Sequence, residues 1–153
     1  MVEVGQTAPD FTLTSSDFQE VTLSQLRGRS VVLVFVPMAF SPTCEGEFCA
    51  LRDSLHDYAQ LEAQVFGISV DSKWVLKAWA AQQRFGFGLL ADFHPKGEVS
   101  KAYGAYIEER GHNQRALVMI GPDLAVTWTH QSPSPLEIPG ANLIFDALER
   151  QAA

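Results

Sequence analysis

From Val31 to Val36 every position is apolar, and four of the six are valine. A run that short, continuous and β-branched predicts a strand buried on both faces. Pro37 ends it, and a loop carrying Pro42 leads into helical spacing from about Cys44 to Leu61. There Phe48, Leu51, Leu55 and Tyr58 form one apolar stripe, with Cys44 on the same side. A strand follows near Gln64–Val70, and Asp71 or Ser72 is placed to cap a helix reaching about Arg84. Phe87–Leu90 reads as a short strand. Ala116–Ile120 and Ala125–Thr129 flank Gly121-Pro122-Asp123, a turn signal that joins them as a hairpin. Pro133, Pro135 and Pro139 stiffen the next connection, and Ala141–Gln151 is a last helix. Strands alternating with helices, then a hairpin, predict an α/β domain: a central sheet of mixed strand direction flanked by helices. Residues 1–153 contain no repeat, linker or low-complexity tract, so one domain is expected.

Charge and composition remove several function classes. The net charge is −7, and the eleven basic residues form no run, which argues against a nucleic-acid partner. No apolar stretch approaches the roughly 20 residues that span a bilayer. Met1-Val2-Glu3-Val4 lacks the basic-then-apolar pattern of a secretory leader, so the cytoplasm is the expected compartment. In that compartment a cysteine pair suits catalysis better than a permanent staple. Cys44, Cys49, His56 and His94 lack the close paired spacing of a metal site. No glycine-rich phosphate or dinucleotide motif occurs, so neither a metal nor an organic cofactor is expected.

The candidate chemistry centres on Cys44. A thiol where a helix begins meets unpaired backbone N–H groups and the positive end of the helix dipole, and both favour the nucleophilic thiolate. Ser41, three residues upstream, is placed to turn its hydroxyl toward that sulfur. The bland alternative is a small buried hydrophobe.

Pro37, Ser41 and Cys44 together resemble the active-site pattern Pro-x-x-x-Thr/Ser-x-x-Cys of the peroxiredoxins, with serine in place of the commoner threonine. The resemblance covers most of the chain. Gly5–Leu13 resembles the family's N-terminal hairpin, Gly67–Asp71 its next core strand, Phe87–Asp92 the segment Phe-Pro-Leu-Leu-Ser-Asp, and Val99–Gly104 the short helix that follows. Within the family the likeness is to the small one-cysteine and PrxQ-like (bacterioferritin-comigratory or AhpE-like) group. It implies a thioredoxin-like fold and a thiol-dependent peroxidase acting on hydrogen peroxide and organic hydroperoxides. Cys44 would attack the O–O bond to give a sulfenic acid. The resemblance assigns the catalytic arginine to Arg115, which opens the strand Ala116–Ile120; Arg110 competes as a solvated loop residue. A fixed guanidinium there would stabilise both the thiolate and the charge developing on the leaving oxygen.

Two residues keep two readings each. Glu47 is either a first-turn carboxylate that complements the helix dipole or, by resemblance, the acid that orients the arginine. Cys49 lies off the stripe, about 100° from Phe48. On an intact helix its Cα would stand roughly 8.5 Å from that of Cys44, beyond the 7 Å or so a disulfide allows. If Cys49 is the resolving cysteine, as the resemblance implies, the first turn must melt, and Gly46 eases that. Otherwise Cys49 packs, and an outside thiol reduces oxidised Cys44. A thioredoxin-like, glutaredoxin-like or low-molecular-weight thiol would be the reductant. A peroxide sensor that passes its disulfide to a partner protein shares the same first step. Met38, Ala39 and Phe40 are expected at the pocket mouth, and the loop that holds them lies at a dimer contact in related proteins, so a homodimer is expected.

Overall fold

The computed structural model describes residues 1–152. The valine-rich run is the centre of the sheet. Strand β3 (Ser30–Phe35) is buried at all six positions. Its residues divide between two cores: Val31, Leu33 and Phe35 face one, while Val32 and Val34, with Val36 just past the strand, face the other. A strand covered on both faces has no wet side, which is why its sequence does not alternate.

Ahead of β3 come β1 (Thr12–Ser15), β2 (Glu20–Thr22) and a 3-10 turn at Leu23–Leu26. After it come α1 (Pro42–Gln60), β4 (Ala63–Ser69), α2 (Lys73–Gln83), β5 (Gly88–Ala91) and α3 (Glu98–Ala102). The chain closes with β6 (Tyr106–Ile107), β7 (His112–Asn113), β8 (Ala116–Ile120), β9 (Val126–Gln131) and α4 (Ala141–Ala152). Seven strands form the main sheet in the order β2-β1-β5-β4-β3-β8-β9, and β6 pairs with β7 in a small separate hairpin. β3 runs parallel to β4 and antiparallel to β8, so the sheet is mixed as predicted.

The departures from the predicted elements have local causes. α1 begins two residues before Cys44, because Pro42 suits the first helical position and Ser41 caps it. α2 stops at Gln83, where Arg84 turns left-handed with φ 52°. β9 starts at Val126 because the ladder slips register between Met119 and Ile120. The N-terminal hairpin lies later than expected. β1 and β2 pair between Thr12 and Thr22, while Thr7 only bridges Ala125.

The second core collects the apolar faces of α1, α2 and α4. Trp79, Phe48, Phe85 and Phe87 stack and abut there with ring centroids 4.9–5.6 Å apart. Gly67 in β4 is required beneath Phe48, since a Cβ there would stand 2.4 Å from the ring. Among the described residues no helix is long and apolar enough to cross a membrane.

Candidate active site

Sheet register brings the site together. Phe35 pairs with Ala116 across the antiparallel β3–β8 ladder. The carboxyl end of β3, with Pro37 just beyond, therefore lies beside the residue that opens β8, Arg115. α1 starts above the same edge. Cys44 is its third residue and is fully buried.

The Ser41 side chain accepts the Cys44 backbone N–H at 3.2 Å. The hydroxyl thus caps the helix on which the thiol is mounted, and its hydrogen bond is to the amide rather than to the sulfur. Phe40, immediately before it, has φ 67°. A left-handed phenylalanine costs on the order of 1 kcal/mol, so its neighbours must hold it. The Ala39 N–H donates to Asp71 Oδ2 at 2.8 Å on the inner side of this loop. Met38 and Phe40 are exposed on its outer side.

Arg115 is 2% exposed, and each of its three guanidinium nitrogens donates a hydrogen bond. One terminal nitrogen donates to Cys44 Sγ at 3.4 Å and the other to Glu47 Oε1 at 2.7 Å. Nε donates to the Pro135 carbonyl at 2.8 Å. The strand itself holds the Arg115 backbone, whose carbonyl accepts from Ser132 N at 3.0 Å. Such a group cannot swing away from the sulfur, and a preset guanidinium stabilises developing negative charge without reorganising.

Glu47, one turn after Cys44, is buried against Arg115 and so is not a solvated first-turn carboxylate. Burial pushes its carboxyl up to about 7, while the Arg115 hydrogen bond and charge pull the other way. Its second oxygen, Oε2, is buried without a partner. For Arg115, burial works against the charge. The hydrogen bond to Glu47 and the charge of Cys44 outweigh that, and the net direction is upward. Cysteine, arginine and glutamate therefore form one coupled electrostatic unit.

Cys49 is a free thiol, half-buried, on a different flank of α1. Periodicity placed it off the core stripe, but α2 covers that flank. Its Sγ donates to Gln83 Oε1 at 3.8 Å, and the side chain packs against the second core. Arg110 is exposed and lines a cleft beside Arg115 and Pro135, but it is Arg115 that makes the hydrogen bonds to Cys44 and Glu47. Two tethers have no sequence signature that local pattern could reveal. One is the Pro135 carbonyl, a backbone atom; the other is Glu45, which accepts Trp79 Nε1–H at 3.1 Å and ties the first turn of α1 to α2. Among the described residues no group of three or more His, Cys, Asp or Glu could hold a metal ion.

Comparison with known proteins converges on one family. Residues 4–129 match the AhpC/TSA family model. The chain is 40% identical over 149 residues to alkyl hydroperoxide reductase E of Mycobacterium tuberculosis, covering 97% of each protein. It is 36% identical to peroxiredoxin-2 of Mus musculus over 77% of this chain and 64% of that one. Among solved structures, peroxidoxin BcpB of Mycobacterium tuberculosis superposes with TM-score 0.86 at 28% identity, covering 98% of each chain. The reduced 2-Cys peroxiredoxin of Plasmodium vivax gives TM-score 0.88 at 26% identity over 99% of this chain and 83% of that one.

Proposed function

Because the chain belongs to the AhpC/TSA family and is a peroxiredoxin, a thiol-dependent peroxidase, we propose that Cys44 is the thiol that attacks the hydroperoxide. The observation that carries this reading is the 3.4 Å hydrogen bond from the buried Arg115 guanidinium to Cys44 Sγ. The thiolate attacks the terminal oxygen of ROOH, and the O–O bond breaks. The S–OH bond forms, and the leaving RO⁻ takes a proton to become ROH. Arg115 pairs the charge as it moves from sulfur to the leaving oxygen, and Glu47 fixes the plane of Arg115. Pro37 and Ser41 shape and cap the turn that presents the sulfur. The name alkyl hydroperoxide reductase carried by a 40% identical relative supports organic hydroperoxides alongside hydrogen peroxide as substrates. So does the apolar loop Met38–Phe40.

Cys49 completes the cycle. Its thiol attacks the sulfenic sulfur, a Cys44–Cys49 disulfide forms, and the sulfenic oxygen leaves as water. Because the two sit on one intact helix with Cα atoms roughly 8.5 Å apart, the turn that contains Gly46 must open first. An external dithiol, or two small thiols, then reduces the disulfide. A reducing compartment such as the cytoplasm would supply them. The Gln83 tether and the packing of Cys49 favour a second reading, in which Cys49 stays put and an outside thiol reduces Cys44 directly. Relay of the disulfide to a partner protein would follow the same first oxidation. A second copy of the chain would meet the loop before Cys44, where Met38 and Phe40 are exposed. A monomeric mass by light scattering at working concentration would remove that assembly.

The test is intact mass after one equivalent of hydrogen peroxide, with and without a sulfenic-acid trap. A loss of two hydrogens, mapped to Cys44–Cys49, supports the intramolecular cycle. One added oxygen on Cys44, captured by the trap with Cys49 still free, supports the one-cysteine cycle. Cys49→Ser should leave the first oxidation within about twofold of wild type, since Cys49 does not touch the Cys44–Arg115 pair. It should also slow thioredoxin-dependent turnover. Unchanged turnover would leave Cys49 as a packing residue.

A further inference from the structure

We propose that Asp71 is a positioning residue for the peroxidase reaction: its carboxylate holds the loop Pro37–Ser41 in the conformation that sets Cys44 against Arg115. This rests on Cys44 as the attacking thiol.

Two donors converge on a single oxygen. The Ala39 N–H reaches Asp71 Oδ2 at 2.8 Å, and the Ser69 hydroxyl reaches the same oxygen at 2.7 Å. Ser69 Oγ in turn accepts the Asp71 N–H at 3.2 Å, which closes a small ring of bonds at the end of β4. Ser69 is 2% exposed and anchored in the β4 ladder, so the ring is rigid and stands on the sheet. The anchor is therefore 32 residues away from the loop it holds.

What it holds is a strained segment. Phe40 keeps a left-handed backbone at φ 67°, without the freedom of a glycine. A residue persists in that region only where its surroundings over-determine it. On one side of Phe40 stands the Ala39 amide, held by Asp71. On the other stands Ser41, whose side chain caps the Cys44 amide. The chain of contacts thus runs from β4 through Asp71 to Ala39, across Phe40 to Ser41, and on to the reacting residue. Without the Asp71 acceptor, Phe40 can relax toward an ordinary backbone conformation, and the Ser41 cap moves with it. The sulfur then shifts relative to an arginine fixed independently by β8, Glu47 and Pro135. Asp71 touches no reacting atom, so its effect is on geometry alone.

The experiment compares Asp71→Ala and Asp71→Asn in the full chain. Two rates are read separately: oxidation of reduced enzyme by hydrogen peroxide, and reduction of pre-oxidised enzyme by dithiothreitol. Asp71→Ala should slow oxidation by about 10- to 100-fold, the scale of a misplacement near 1 Å. Reduction should change by less than about threefold, because it does not need the Cys44–Arg115 alignment. Asp71→Asn should return oxidation to within about threefold of wild type, since the amide oxygen still accepts from Ala39 and Ser69. A purely structural role would lower thermal stability and leave the oxidation rate alone. Oxidation at the wild-type rate in Asp71→Ala, or an Asn variant as slow as the Ala variant, overturns the proposal. If Asp71→Ala does not fold, Ser69→Ala frees the carboxylate to turn. It should slow oxidation by roughly threefold or more, and a wild-type rate there overturns the proposal as well. A Cys44→Ser control that still consumed peroxide would overturn both this role and the peroxidase reading. A dead control beside an unaltered Asp71→Ala overturns the role of Asp71 only.

Discussion

Replacement of Cys44 by serine is expected to abolish peroxide consumption while leaving the fold in place. The loss should be on the order of 10⁶-fold, the scale on which removing a catalytic nucleophile acts. Only the slow reaction of an ordinary thiol at Cys49 would remain. The physical reason is ionisation. A serine hydroxyl keeps its proton near neutral pH unless a base takes it. The group that touches the sulfur is a guanidinium, which donates and cannot accept. The fold should survive because a serine oxygen can still accept from Arg115 and, being smaller than sulfur, clashes with nothing around it. Stopped-flow peroxide consumption and thermal melting on the same sample separate the two effects. Consumption at even a tenth of the wild-type rate, from a folded variant, would sink the assignment of Cys44.

Arg115→Met should damage the protein twice, and the two losses can be pulled apart. The first is catalytic. Taking away the preset donor at the sulfur should slow Cys44 oxidation by about 10²- to 10³-fold. The second is structural, because Glu47 loses the partner 2.7 Å away and is left buried with Oε2 already unpartnered. Breaking a buried pair in this way costs about 3–5 kcal/mol when the survivor stays charged. Glu47 has an escape: burial already pushes its carboxyl from 4.5 up to about 7, and losing the arginine removes the pull that opposed burial. A carboxyl raised in the folded state binds its proton more tightly there than in the unfolded chain. Its favourable contribution is therefore complete below about 4.5 and disappears as pH climbs through the folded value near or above 7. Arg115→Met should accordingly lose less stability at mildly acidic pH than at mildly alkaline pH.

Adding Glu47→Gln to that variant removes the stranded charge. Urea unfolding should then recover most of the lost stability and become nearly independent of pH over the same interval, because replacing both members of a buried pair is far less harmful than removing one. The oxidation rate should not recover. If the double variant regains peroxide reactivity, the single variant was slow because of the unpaired Glu47 charge, and the catalytic role of Arg115 falls.

Much of the fold was legible along the chain. The unbroken run at Val31–Val36 reads as a two-sided buried strand because no position in it tolerates water, and β3 lies at the centre of the sheet. The helix that carries Cys44 is legible too, but its start lies two residues earlier than the spacing predicts, set by the Ser41 capping oxygen and the preset φ of Pro42. Both rules involve neighbours within four residues. The tiny β6–β7 hairpin escaped notice because strands of two residues carry no alternation to detect. Cys49 was placed off the core face because helical periodicity measures one stripe, whereas α2 packs on the flank where Cys49 lies.

The site divides along the same line. By itself, the sequence determined where a thiol would meet a helix N-terminus, since every group that defines that junction lies between Pro37 and Cys44. Only the tertiary structure decided what the thiol faces. Arg115 is 71 residues from Cys44 and 68 from Glu47, and it reaches them because the antiparallel register of β3 and β8 puts the ends of two distant segments side by side. The Pro135 carbonyl on Arg115 and the Asp71 carboxylate on Ala39 also come from outside any local window, 20 and 32 residues away. Short-range patterns encode helix, strand and cap because those interactions close within a turn or a pleat. Which side chains meet across a sheet edge depends on how the whole set of strands pairs, and no local window of the chain contains that information.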